Sequence, residues 1–430
     1  MQSCEPGEWR RLLEEAGMED REALERARLC FVEEHFSLDV AEASQWIREL
    51  RTLMGLVVDR LSAKGVLLPK EMRSFIEDPL RHLVKKLFIY AHDVVRRRIS
   101  VEEFERVAAA AARTSLRTNM RSVYEAWVLL ALLSLLTERG RAEIVYPEHR
   151  FILIERTGRQ RGGRIPPNIV LRLGGRGLLS FYLEAPRPIS WGDSSDLARA
   201  WKLYIALRPD MMIYSGLVEN MVDLESDPPI RRPDFIVEVK ELGDWYTRAR
   251  EVRGPFAKRM TAEEWRNRWL RGLWAGLADV LGVSSPESAY EEAAKRKRGL
   301  RLTEPQIVKL YARIYKPRRL YLVSRMPVPE NVAAELEGYG VTVVDGVGFS
   351  VEALEPLARE LASAASFRGA QRAPLYIDAG LLARLEQVAS QRGLRVEELA
   401  EALLKALVSD QSLVEKLLGR VEREGGSSVG

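Results

Sequence analysis

Ile230-Arg231-Arg232-Pro233-Asp234-Phe235-Ile236-Val237-Glu238-Val239-Lys240-Glu241 reads as an apolar strand that ends in charge. Side chains alternate along a strand, so Phe235, Val237 and Val239 face one side while Ile236, Glu238 and Lys240 face the other. A carboxylate and an amine are then held side by side at the end of an apolar run. Burying that pair is costly unless another charge, hydrogen bonds or a metal completes it. A second element supplies a partner: Leu207-Arg208-Pro209-Asp210 leads straight into Met211-Met212-Ile213-Tyr214. If the two strands pair, Asp210 comes beside Glu238. Arg-Pro-Asp occurs again at 232–234, but Asp234 lies four residues before Glu238 on one strand, roughly 13 Å away at strand rise. Asp210 is therefore the preferred partner, across a gap that contains an acidic insertion at 218–227.

Working outward, short strand-like runs at 144–146, 151–154, 169–171, 178–183, 211–214 and 235–239 are separated by Gly and Pro signals. A long helix precedes them over 118–138 and stops at Gly140. Before it, residues 8–113 carry apolar positions at three- and four-residue spacing, the pattern of a helical bundle. Beyond Leu242 the chain reads as helical over 261–281 and 304–315, then strand, helix and strand over 320–344, a parallel crossover. Residues 363–371 are small and polar, a linker.

Composition narrows the classes. The chain has 430 residues, 46% apolar and 30% charged, which excludes wholesale disorder and predicts several domains. Its net charge is only +4, from 66 basic and 62 acidic residues, so a nucleic-acid surface must come from local segregation of charge. Cys4 and Cys30 are too few for a disulfide framework or a four-thiolate zinc site and favour a reducing compartment. The four histidines have no metal-ligand spacing. No segment reads as a membrane span and the N-terminus lacks an apolar signal core, so a cytoplasmic protein is expected.

Pro209-Asp210 followed by Glu238-Val239-Lys240 resembles the PD-(D/E)xK nuclease superfamily, with its restriction-endonuclease-like fold. Ser122-Val123-Tyr124-Glu125-Ala126-Trp127 resembles the helix that precedes the sheet in many members and carries a further acid, here Glu125. Gln306 resembles the glutamine that some branches place over the site, and Glu184 is an additional candidate for the acidic pocket. The likeness covers about 116–350. It implies an α/β protein with a restriction-endonuclease-like mixed-sheet core. Asp210, Glu238 and the carbonyl of Val239 would hold Mg²⁺ or Mn²⁺, hard cations that prefer oxygen. Lys240 would orient the attacking water or stabilise developing charge. Arg266, Arg271, Lys295 and Arg296, from an arginine- and tryptophan-rich stretch, are candidate phosphate contacts. Trp265, Trp269 and Trp274 have helical spacing and read better as core.

Residues 373–407 resemble a ribbon-helix-helix domain, in which two chains pair their strands. The resemblance implies a homodimer, with Leu375 and Ile377 facing inward and Arg372, Pro374 and Tyr376 facing DNA. The expected organisation is a helical region at 1–115, the nuclease domain at 116–350, a helix and linker at 351–371, a dimerising or DNA-binding module at 372–412 and a tail at 413–430. The expected function is metal-dependent cleavage of DNA by a homodimer without membrane attachment. The alternatives are an RNA-directed nuclease and a non-catalytic DNA-binding or regulatory protein that keeps the fold as a platform.

Overall fold

The structure is a computed structural model that describes residues 4–17, 20–154, 164–185, 207–223, 226, 228, 230–252, 268–295, 300–367, 378–394 and 396–410. It divides into two compact units, Met1–Gln371 and Arg372–Gly430.

The first unit begins with helices α1 (Glu8–Glu15) and α2 (Arg21–Arg60), a short strand β1 (Gly65–Leu67), then α3 (Lys70–Glu77), α4 (Pro79–Lys86), α5 (Phe88–Val95) and α6 (Val101–Glu138). Several starts are capped as their sequences dictate. The side chains of Asp20, Asp78 and Ser100 accept from the backbone of Ala23, Arg81 and Glu103. Helix α6 is 38 residues long and runs unbroken past the expected boundary at 115/116. Its first half buries one stripe (Val101, Phe104, Ala108, Ala112, Leu116), whereas Ala126 to Leu136 are buried all round. The second half is therefore enclosed on every side, and the helical region and the sheet share one core. By length and composition α6 could cross a membrane, but 78% of its apolar window is buried inside the protein, which is how a core helix behaves. Cys4 and Cys30, read from sequence as favouring a reducing compartment, are joined in a disulfide with Cα atoms 5.4 Å apart. The packing of α1 on α2 sets the two cysteines facing each other; their spacing in the chain carries no such signal.

The sheet strands are β2 (Ala142–Tyr146), β4 (Ile169–Leu173), β5 (Gly177–Leu183), β6 (Met211–Ser215), β7 (Phe235–Lys240), β10 (Arg319–Ser324) and β11 (Val341–Val344), while β3 (Phe151–Leu153) pairs with β1. Their order is β11-β10-β7-β6-β5-β4-β2. The run from β2 to β7 is antiparallel, and β10 and β11 add in parallel. Gly177 (φ +130°) lets β5 approach the end of the first unit: a Cβ there would lie 2.4 Å from the backbone of Ser366, which pairs with Leu178.

After β7 the chain does not turn helical at once. A 3₁₀ turn, Trp245–Thr247, leads into β8 (Ala249–Val252), which pairs antiparallel with β9 (Leu300–Thr303) around α7 (Arg268–Leu281) and α8 (Pro286–Lys295). Helix α9 (Glu304–Tyr315) follows β9 directly, α10 (Glu330–Glu337) joins β10 to β11, and α11 (Glu355–Ala364) closes the unit. The two faces of β7 go where alternation sends them. Phe235, Val237 and Val239 join the core shared with α2, α6 and α11, and Ile236 joins a second core with α7, α9 and α10.

The second unit contains α12 (Ala379–Gln391) and α13 (Val396–Ser409), which pack on each other. The expected strand at 375–377 lies outside the described residues.

Candidate active site

Three adjacent strands each end in a carboxyl at the same height. Leu183 of β5 pairs with Met211 of β6, and Met211 pairs with Val237 of β7. One step further along this register, Glu184, Asp210 and Glu238 fall in a row. Backbone bonds hold the row together: Glu184 N donates to Asp210 O at 2.9 Å, and Asp210 N donates to Glu238 Oε2 at 3.3 Å. The Asp210 carboxylate in turn accepts from Val239 N at 2.7 Å. The N–H and C=O of one strand residue point the same way, so the Val239 carbonyl is turned toward β6, the side of Asp210. Asp234, the other Arg-Pro-Asp acid, accepts from Ser215 N at the opposite end of the β6–β7 pair and belongs to the turn.

Glu238 and Lys240 are buried, with 1% and 6% exposure. Lys240 Nζ donates to Glu238 Oε1 at 2.7 Å and to Glu304 Oε2 at 2.8 Å. It also lies 5.9 Å from the ring centre of Trp245, a buried side chain. Glu304 is the first residue of α9, positioned by a capping box in which Thr303 accepts from Gln306 N and the Gln306 side chain accepts from Thr303 N. Gln306, expected over the site, is thus engaged in starting the helix, and Glu304 two residues earlier reaches the lysine. The Thr-Glu-Pro-Gln capping signature was the signal that separates the two.

Glu125 projects from α6 with a side-chain exposure of 16%, and its Oε1 lies 3.2 Å from Arg121 Nε. Burial pushes its carboxyl up to about 8; Arg121 opposes this, and the nearby Glu184, Glu241 and Glu238 add to it. Asp210 is likewise pushed well above the usual carboxylate range, first by burial and then by Glu238 and Glu125, against the pull of Lys240 and the Val239 N–H. Burial also raises Glu241. Arg208 Nη1 approaches Glu184 Oε2 at 3.9 Å. A cleft of about 550 Å³ has five acids (Glu184, Asp210, Glu238, Glu241, Glu304) and five bases (Arg117, Arg121, Arg208, Lys240, Arg248) in its lining, while Glu125 lines a neighbouring cavity. Glu238, Lys240 and Glu241 are buried, Arg117 and Arg121 are exposed, and the other five groups are half-buried. Glu241, Glu304, Arg121 and Arg208 were not singled out by sequence. Glu241 and Arg208 adjoin the motif residues; Glu304 and Arg121 arrive through the packing of α9 and α6.

The remaining expected contacts are accounted for by position. Arg266, Arg296, Arg372 and Tyr376 lie outside the described residues, as do the side chains of Arg271 and Lys295 on α7 and α8. Trp274 is buried in the second core, as its helical spacing predicts. Among the described residues, one group of three metal-ligating types has ligand atoms within 4.8 Å of one another: Cys4, Glu8 and Cys30. Its two sulfurs are bonded to each other, which removes the thiolates a soft metal needs. In the cleft, by contrast, the donors are carboxylate oxygens, and Glu238 and Glu304 share Lys240. Hard oxygens are the donors Mg²⁺ and Mn²⁺ prefer, but among the described residues no three of the cleft carboxylates come as close together as the Cys4, Glu8 and Cys30 group. Searches against protein-family models, curated proteins and solved structures find no match to the chain.

Proposed function

We propose that this protein is a divalent-metal-dependent nuclease that hydrolyses the nucleic-acid backbone, with DNA as the preferred substrate and RNA the alternative. One observation carries the reading: Asp210 and Glu238 meet across β6 and β7 while Lys240 is held on the same carboxylate. The strand plan supports it, since a sheet of antiparallel β5–β6–β7 with β10 added in parallel is mixed, as the motif resemblance implies.

Asp210, Glu238 and the Val239 carbonyl would hold Mg²⁺ or Mn²⁺, which polarises a phosphoryl oxygen and lowers the pKa of bound water. The protein's own groups do the rest. Lys240, fixed between Glu238 and Glu304, presents an ammonium to the cleft and stabilises negative charge there. Glu125, with its carboxyl raised to about 8, can hold or release a proton near neutral pH. Arg117, Arg121, Arg208 and Arg248 line the cleft as candidates to receive the flanking phosphates.

Cleavage of single-stranded, duplex, flapped and branched DNA, and of RNA, with each ion tests the proposal. Asp210→Ala and Glu238→Ala should each abolish cutting with the circular dichroism spectrum unchanged, and Lys240→Ala should lose rate more than metal affinity. A wild type that cuts none of these substrates with either ion sinks the reading. The lock of Lys240 between two carboxylates favours the rival, a nucleic-acid-binding platform without catalysis; binding of the same panel without any cutting would establish it.

For the second unit we infer self-association. Leu381, Leu382, Val388, Leu394, Leu403 and Leu404 are 37–51% exposed on its two helices and the turn between them, more apolar surface than so small a unit can cover alone. A homodimer through this unit follows the ribbon-helix-helix likeness.

A further inference from the structure

A second and larger cavity, about 860 Å³, opens against the same acids. Thr118, Glu184 and Asp210 belong to the walls of both clefts, and Glu125 lines the larger one. One wall is a stripe of α6 in which Ser115, Thr118, Asn119 and Ser122 recur at helical spacing. Another is apolar: Met72 of α3, Leu183 of β5 and Met211 of β6.

The protein satisfies the polar stripe only in part. Asn119 is only 6% exposed; its Nδ2 donates to Ser115 O at 2.8 Å and lies 3.4 Å from His82 Nε2. Its Oδ1 accepts no hydrogen bond among the described residues, although Asn119 lines the cavity. That oxygen is not enclosed and stays open as an acceptor, and a ligand N–H in the cavity would complete it. The hydroxyls of Thr118 and Ser122 have no hydrogen-bond partner among the described residues either, and both line the cavity. Apolar flanks for a flat π-face, an acceptor and two hydroxyls for a polar edge, and direct continuity with the carboxylates together match one chemical group. That group is a nucleobase.

We propose that this cavity receives the base of an unpaired nucleotide next to the scissile phosphate. The enzyme then acts on single-stranded or flapped nucleic acid in preference to continuous duplex, because a stacked and paired base cannot enter. This inference rests on the nuclease reading above and names its substrate class.

The test uses the full chain. Oligonucleotides carrying 2-aminopurine at successive positions are bound to Glu238→Ala in EDTA, in DNA and RNA versions, and fluorescence is read at each position. One position should respond, and the response should disappear in Ser122→Trp, which fills the cavity, and weaken in Asn119→Ala, which removes the acceptor. In parallel, wild type should cut a flap at least about tenfold faster than the matched duplex, and an abasic site at the responding position should slow cutting by about tenfold or more, the scale of one lost base stack. The abasic series uses wild type, so it decides even if Ser122→Trp folds poorly. A wild type that cuts flap and duplex equally, ignores abasic sites and gives no fluorescent position overturns this inference while leaving the nuclease reading intact. A fluorescent position in a protein that cuts nothing supports the cavity and removes the nuclease reading instead.

Discussion

Glu125 and Asp210 carry carboxyls that burial and their acidic neighbours raise, and the sign of the resulting pH dependence is determined by that direction. In the unfolded chain these acids ionise in the ordinary range, so the folded state binds more protons between there and about 8, the value for Glu125. Stability must therefore fall as pH rises through that window. In EDTA, the melting temperature should drop between pH 5 and pH 8.5. Glu125→Gln should remove part of the drop, since each tenfold displacement of a proton equilibrium is worth about 1.4 kcal/mol. Mg²⁺ should suppress it as well by neutralising the cluster, releasing protons measurable in weak buffer. A flat wild-type profile, or one that Glu125→Gln leaves unaltered, would show that this carboxyl is not held protonated.

The short elements around β7 determine which charged groups reach the cleft. Helix α9 begins at Glu304 because Thr303 and Gln306 close a capping box, and β8–β9 pairing delivers that start beside Lys240. Gln306→Ala should thus cost about 1 kcal/mol of stability through the lost cap, seen as a lower denaturation midpoint, with little loss of cutting. If Gln306→Ala instead abolished cutting at unchanged stability, the glutamine would act on substrate after all. The capping box was legible in four consecutive residues. The β8–β9 pair was not, because two four-residue strands with 47 residues between them stabilise each other only once the fold has brought them together.

At the scale of the whole chain, the first unit holds both clefts and the second exposes a leucine-rich surface. If the second unit is the dimer contact, a chain ending at Gln371 should run as a monomer by light scattering at low micromolar concentration, where the full chain runs as a dimer. Leu403→Asp should mimic the truncation by placing a charge on that surface. A truncated chain that stays dimeric would move the interface to the first unit. The helical region is not a separable support, since α6 carries Glu125 and the polar stripe of the larger cavity while its buried half sits in the core shared with the sheet. Dividing the chain at 115/116 would cut that helix in two.

What the sequence determined by itself was local in origin. Alternation along β7 put Glu238 and Lys240 on one face, apolar runs bounded by Gly and Pro marked the sheet strands, and helical spacing assigned Trp274 to the core. Tertiary structure decided what depends on contacts between distant segments. The β5–β6–β7 register set Glu184, Asp210 and Glu238 in a row, the start of α9 brought Glu304 to Lys240, and α1 on α2 joined Cys4 to Cys30. The single 38-residue α6 and the cavity beside it belong to the same class. Periodicity reports which face of an element is apolar, but a partner face is chosen by packing, whose free energy exists only after the chain has closed on itself.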